Sequence, residues 1–360
     1  MDSLSQIALG AAVGVATMGR RTAIWKAALW GGVAGTLPDL DVMIDHGDAI
    51  RNMVLHRAET HAPFWLSLFS LPFALAVARL NGEWAHWRRW WLAIWLALVT
   101  HPLLDAMTVY GTQLALPFSD HPYAVGSVFI IDPLYTLPLL IGVGWALARR
   151  EKREGIGLVT RPGMRANTIG LVLSTAYLAW GVIAQQQVTR VATASLAAQG
   201  IAAEQVLVTP AAFNSLLWRV LVVTGDTYLE GFHSLLDRPS ADTPALAFER
   251  FARGNALAAE LQRDQAVRRI REFSKGFYAL RVEGARVLIT DLRMGQEPNY
   301  IFSFAVAERH SPAVALAKPQ QIGARPDIAC GLPWTWRRMW GEPLPPPTRF
   351  CARPAGQAPQ

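Results

Sequence analysis

Six apolar runs separated by short polar stretches occupy the first half of the chain: roughly Leu4 to Met18, Ala23 to Leu37, Pro63 to Leu80, Trp90 to Met107, Val128 to Ala148 and Ile169 to Ile183. Their pattern predicts helices. Several are shorter than the roughly 20 residues that span a bilayer, so the first two are expected to be tilted, re-entrant or packed inside a bundle. Both carry small residues four apart, Gly10 with Gly14 and Gly31 with Gly35. That spacing lets two helix backbones approach closely in lipid, although glycine is also simply tolerated in membrane helices.

The pattern changes after Gln185. A polar, Ala-rich helical stretch through Gln199 leads into alternating short runs, Gln205 to Thr209, Trp218 to Thr224, Gly276 to Val282, Ala285 to Asp291 and Ile301 to Val306, which read as strands ending at turn signals. A helical segment is predicted between them, about Pro244 to Phe273, and the Pro-rich tail from Pro343 is expected to be extended or disordered. The fold class is thus an α-helical transmembrane bundle of about six hydrophobic helices followed by a soluble α+β domain. The expected divisions are a membrane-embedded domain over 1–190, an α+β domain over 191–342 and a tail over 343–360. No internal repeat is visible.

Composition supports a membrane class: 52% of residues are hydrophobic and only 17% charged, below the quarter usual in soluble domains, and mean hydropathy is positive at +0.21. The net charge of +7 lies in short blocks between apolar runs rather than on one continuous face, which argues against a nucleic-acid partner and for membrane topology. Arg20, Arg21 and Lys26; Arg79, Arg88 and Arg89; and Arg149, Arg150, Lys152, Arg153, Arg161 and Arg165 fall in alternate loops. Basic loops stay cytoplasmic, so the intervening loops, Pro38 to Ala62 and Thr108 to Ser127, and everything after the sixth run are expected outside, on the periplasmic side of a bacterial inner membrane. The amino-terminal run lacks a positive n-region and is expected to be retained rather than cleaved. Cys330 and Cys351 both fall in the expected oxidising compartment and are expected to pair.

Ionisable residues near lipid are costly, so their placement is informative. Asp39 and Asp41 follow the second run, His56 and His61 precede the third, and His101 and Asp105 lie near the end of the fourth. All three groups are expected on the outer face. His101 and Asp105, four apart, share one helical face and can reach a single ion. Asp39 and Asp41 would share one side of an extended segment. Imidazole with carboxylate suits a divalent metal, zinc first, with manganese or iron as alternatives. His86, among tryptophans, reads as an interfacial residue, and His46, His121, His233 and His310 read as structural or solvated.

The strings Met1-Asp-Ser-Leu-Ser-Gln6, Leu37-Pro-Asp-Leu-Asp41, His56-Arg-x-x-Thr-His61, His101-Pro-Leu-Leu-Asp105, Tyr110-Gly-Thr-Gln113, Pro117-Phe-Ser-Asp120 and Ile130-Ile-Asp-Pro-Leu-Tyr135 resemble the YdjM-type inner-membrane metal-dependent hydrolases. The resemblance covers about the first half of the chain. It implies metal-centred hydrolysis of a phosphoester or related bond, and the H-x-x-x-D helix is similar to one in zinc-dependent phospholipase C. Ala58 and Ala62 stand where that family carries Gly and Ser, which removes a hydroxyl beside His61.

The expected metal ligands are therefore Asp39, His61, His101 and Asp105, with Asp41 or His56 assisting. Arg57 is a candidate for neutralising a phosphate oxygen, and Glu59 or Asp41 for proton transfer. A site at the outer membrane boundary suits a lipid or lipid-linked phosphoester. Two rival readings are a scaffold or binding protein held together by its metal and an ion-coupled transporter, the latter disfavoured by a polar cluster at one face rather than the midplane.

Overall fold

The computed structural model describes residues 1–149, 152–154, 158–160, 162–238, 246–310, 313–323 and 327–352. Arg150 and Arg161 of the third basic block, Pro244 and residues 353–360 of the tail lie outside the described residues. The chain divides into two compact units, Met1–Ile44 with Leu55–Val182, and Asp45–Val54 with Ile183–Gln360.

The first unit is helical. Its elements are α1 (Ser3–Met18), α2 (Ile24–Thr36), a 3-10 turn at Leu37–Met43, a second at Glu59–His61, α4 (Pro63–Leu80), α5 (Trp87–Ala106), α6 (Pro133–Ala148) and the first part of α7 (Pro162–Ala198), preceded by the hairpin β1 (Lys152–Glu154) and β2 (Leu158–Thr160); α3 (Ala49–Leu55) falls mostly in the second unit. Two of these helices, Pro63–Leu80 and Gly163–Ala198 within α7, are long and apolar enough to cross a membrane, whereas Ser3–Met18 and Pro133–Ala148 are apolar but shorter. The sixth run is longer than the sequence suggests, because α7 continues without a break through the Ala-rich stretch.

Local chemistry explains the helix starts. Asp2 caps α1 by accepting from Ser5 N at 3.1 Å, and Asp132 caps α6 by accepting from Leu134 N at 3.1 Å, with Pro133 at the first position. The glycine pairs of α1 and α2 do meet. A Cβ on Gly10 would lie 2.3 Å from Gly31 O, and one on Gly31 would lie 2.2 Å from Gly10 O, so backbone touches backbone and any side chain forces the helices apart. At the other end of this core, Glu83 accepts from Thr22 Oγ1 at 2.6 Å and Trp90 Nε1 at 3.0 Å.

The second unit is β-rich. One antiparallel sheet has the order β3-β4-β5-β6, from Gln205–Pro210, Leu217–Thr224, Thr227–Ser234 and Glu249–Ala252. The other has the order β12-β11-β8-β7, from Val314–Gln321, Ser303–Glu308, Arg286–Asp291 and Tyr278–Glu283, and β9 (Gly295–Gln296) pairs with β10 (Asn299–Tyr300). Ala184, Val188, Ala192 and Leu196 of α7 share one core with Trp218, Val220 and Val222. The predicted helix ending at Phe273 is corrected: β6 takes its start, Gly254 follows in a left-handed conformation, and two short helices, α8 (Asn255–Glu260) and α9 (Gln265–Phe273), replace the rest. Asp264 caps α9 through Val267 N at 2.9 Å, which is why the helix restarts there.

The described part of the tail is folded, not disordered. Helices α10 (Ile328–Met339) and α11 (Pro347–Phe350) are joined by the Cys330–Cys351 disulfide. Trp334 is buried and donates Nε1 to Pro345 O at 2.8 Å.

Candidate metal centre

Helix α5 buries a stripe that includes Trp90, Ala93, Ile94, Ala97, Leu98, His101, Leu104 and Asp105. The H-x-x-x-D pair thus continues the apolar face of its own helix into the core, where a polar pair needs partners. Two 3-10 turns supply them: Asp39 from Leu37–Met43 and His61 from Glu59–His61.

The four side chains converge on one point. His61 Nε2 lies 3.1 Å from His101 Nε2, 3.4 Å from Asp39 Oδ1 and 3.3 Å from Asp105 Oδ2. His101 Nε2 lies 3.4 Å from Asp39 Oδ1 and 3.5 Å from Asp105 Oδ2. One ligand atom from each residue falls within 4.8 Å of all the others. A tetrahedral ion with bonds of about 2.0–2.1 Å has ligand–ligand edges of about 3.3 Å. Five of the six edges here match that length.

The hydrogen bonds behind the cluster favour a cation at its centre. His101 Nδ1 faces Gly35 O at 2.6 Å, and a carbonyl only accepts, so that nitrogen carries the proton and Nε2 presents a lone pair. Thr60 Oγ1 donates to Asp41 Oδ2 at 2.7 Å and therefore receives His61 Nδ1–H at 3.0 Å, turning the second Nε2 lone pair inward as well. Among the described residues, buried Asp105 Oδ2 accepts no hydrogen bond, although Arg57 Nε faces it at 3.2 Å. Two facing imidazole lone pairs and two carboxylates repel one another unless a cation or protons lie between them, so the donor set fits a divalent ion. His61, His101 and Asp105 are fully buried, and Asp39, with a side chain 17% exposed, is the open edge.

The other sequence candidates are placed around this cluster. Asp41 turns away from it, because the segment is a 3-10 helix and not the extended stretch expected; its carboxylate takes Thr60, Arg57 N at 3.1 Å and His56 Nδ1 at 2.7 Å. His56 therefore reaches Asp41 and not the four-ligand cluster. Arg57 is buried in a left-handed conformation, φ 69°. Its Nε lies 3.2 Å from Asp105 Oδ2 and its guanidinium lies over the Tyr110 ring at 4.7 Å. Glu59 is exposed on the turn that ends in His61. Where protons rather than a cation fill the cluster, hydrogen bonds and charge from His101 and His61 outweigh the burial that would favour protonated Asp39, and hold its carboxyl well below the usual range. Burial is likewise overcome at Asp41 by His56, His61 and Thr60.

Residues absent from the sequence-based site also contribute. Gln6 Nε2 donates to Asp105 Oδ1 at 3.0 Å, where the Met1 amino group also binds, and Thr108 accepts from Arg57 Nη1 at 3.3 Å. Gln6 and Thr60 sit in the recognised strings, so a signal existed. The Gly35 carbonyl left none, because any residue offers one.

Two helices long and apolar enough to cross a membrane, in a unit that closes two histidines and two aspartates around one point, define a helical protein with a possible metal site. The model of the YdjM inner membrane protein family matches residues 1–188, just over half of the chain, and the chain belongs to that family. It is also 30% identical over 156 residues to the uncharacterized protein YfhP of Bacillus subtilis (strain 168), a match covering 40% of this chain and 45% of that relative. No solved structure matches it.

Proposed function

We propose that the chain is a multi-pass inner-membrane hydrolase with its metal centre and its β-rich unit on the periplasmic side, acting on a phosphoester or lipid-linked substrate. The observation that carries this reading is the near-tetrahedral set of Asp39, His61, His101 and Asp105 behind a single open edge at Asp39. When bound, a divalent cation, zinc first, supplies Lewis acidity toward a phosphoryl or carbonyl oxygen and makes a neighbouring water more acidic. Asp41 and Thr60 fix the tautomer and orientation of His61, and Arg57 steadies Asp105, both of which tune a metal site. Glu59 is the carboxylate proposed to accept the proton of the attacking water, being on the His61 turn and exposed.

A groove between α1 and α2 supports a substrate with a hydrocarbon chain. It encloses about 390 Å³ and is lined by Ile7, Leu29, Gly32, Val33, Leu37 and Leu40, the last two bracketing Asp39 in sequence. The alternation of basic loops supports six crossings and the periplasmic placement, with the shorter helices crossing at a tilt or packed within the bundle.

A structural-metal reading stands beside this one for a specific reason. Four protein ligands close a tetrahedral zinc site, whereas catalytic zinc keeps one position open. Elemental analysis of detergent-purified protein beside His101→Ala, followed by hydrolysis assays on phospholipid and polyprenyl phosphate in mixed micelles, separates the readings. Bound metal with chelator-sensitive turnover supports the hydrolase; bound metal with no turnover on any phosphoester supports the structural role. Equal metal in both proteins removes the centre. A reporter enzyme fused after Gln360 tests topology, and activity confined to the cytoplasm would overturn it.

A further inference from the structure

Helix α10 has two apolar faces, and the core accounts for only one. Trp334 and Met339 are buried with Ala211, Leu217 and Phe232. On the opposite face stand Ile328, Leu332, Trp336 and Trp340, exposed at 63, 45, 62 and 56%. Steps of four residues align them in one stripe, about 18 Å long at 1.5 Å per residue. The Trp336 and Trp340 rings meet edge to face at 5.7 Å. Single exposed apolar residues need no explanation, but four large ones in a row do.

The surroundings of the stripe point to its occupant. The arginines of this segment are held in ion pairs, Arg337 with Glu342, Arg338 with Asp237 and Arg349 Nε with Glu249 Oε1 at 3.0 Å, so the stripe is bordered by paired charge and its apolar side chains are what an occupant would meet. Tryptophan beside aliphatic side chains is the chemistry of the bilayer interface, where an apolar ring body and a wet N–H are both satisfied. The disulfide ties the first turn of α10 to the end of α11, so the helix is ordered before it meets any surface. The unit also follows directly on a helix long and apolar enough to cross a membrane, which keeps a bilayer at high effective concentration. A second copy of the chain is a poorer fit: four side chains expose on the order of 500 Å², short of the roughly 800 Å² per partner of a stable interface.

We infer that α10 is a membrane-docking helix whose Ile328–Leu332–Trp336–Trp340 stripe enters the headgroup region of a bilayer. This inference does not depend on the metal centre.

The test uses the full chain at one copy per nanodisc of phosphatidylethanolamine and phosphatidylglycerol. With both native cysteines in the disulfide, Leu332→Cys and Trp336→Cys each accept one environment-sensitive fluorophore, and Glu283→Cys, on the β7–β8 hairpin, is the exposed reference. An apolar face buried about 5–10 Å into the headgroup boundary should lower iodide quenching at least about threefold at positions 332 and 336 relative to 283. Lipids with a spin label high on the acyl chain should quench those two positions and spare 283. Adding Trp340→Glu to the Leu332→Cys protein should restore iodide access. Iodide quenching equal at all three positions overturns the inference, as does protection that appears only with two copies per disc.

Discussion

Replacing Thr60 by valine removes one hydroxyl beside the metal cluster and leaves all four ligands in place. Thr60 Oγ1 links His61 Nδ1, at 3.0 Å, to Asp41 Oδ2, at 2.7 Å. Without it His61 Nδ1 faces Asp41 Oδ2 at 3.5 Å, too far for a sound bond, and among the described residues Asp41 Oδ2 keeps only the hydrogen bond from Arg57 N. Losing an outer partner of this kind typically weakens metal binding about 10- to 100-fold, or about 1.4–2.7 kcal/mol. His101→Ala, which deletes a ligand and leaves the Gly35 carbonyl without its donor, should cost more. Competition against a chromophoric chelator in detergent measures both, with His86→Ala and His310→Ala as variants expected to bind like wild type. If Thr60→Val binds metal as tightly as wild type, the hydroxyl does not orient His61. If His101→Ala also keeps full occupancy, the cluster is a set of polar helix ends and not a metal centre.

Gly31→Ala should destabilise the first unit by about 1–3 kcal/mol through overpacking, since its Cβ would meet Gly10 O at 2.2 Å, while Gly144→Ala, with nothing within 4 Å, should be neutral; thermal inactivation in detergent compares them, and equal midpoints would refute the tight crossing. Denatured protein without reductant should show no reactive thiols, and the double variant Cys330→Ser/Cys351→Ser should lose about 3 kcal/mol, the loop-closure value for a separation of 21 residues; unchanged denaturant midpoints would contradict this. Burial favours protonated Asp237, but hydrogen bonds from Arg338 and His233 prevail and hold its carboxyl well below the usual range. Its stabilisation is therefore present above the unfolded carboxyl pKa of about 3.9 and fades as pH falls through the lower folded value. Asp237→Asn should accordingly be less stable than wild type at neutral pH, and the gap should narrow in acid; a gap independent of pH would refute that pairing.

What could be read along the chain was what neighbouring residues decide among themselves. The six apolar runs are helices because their periodicity and length are local properties, and the Gly10/Gly14 and Gly31/Gly35 pairs meet because small residues at one-turn spacing leave a flat backbone face. The strands β5 and β12 were not legible for opposite reasons. Thr227–Ser234 contains Gly231 and Glu230, which read as turn and surface; only the fold buries Glu230 against Arg219, with Nε to Oε1 at 2.5 Å. Val314–Gln321 carries Lys318 and Pro319, which an edge strand tolerates because one side makes no ladder bonds.

The candidate centre divides along the same line. The sequence alone determined that Asp39, Asp41, His56, His61, His101 and Asp105 would be costly near lipid and so would gather, and the four-residue spacing of His101 and Asp105 put them on one helical face. Only the tertiary structure decided which of them share a point. A 3-10 turn rotates Asp39 toward His61 and His101 and Asp41 away toward Thr60 and His56, because successive side chains on a turn diverge where those on a strand two apart would align. Thr60, which holds the His61 ring, is its neighbour in the chain, but the Gly35 carbonyl that holds His101 comes from α2, 66 residues away in sequence, and no local pattern carries that distance.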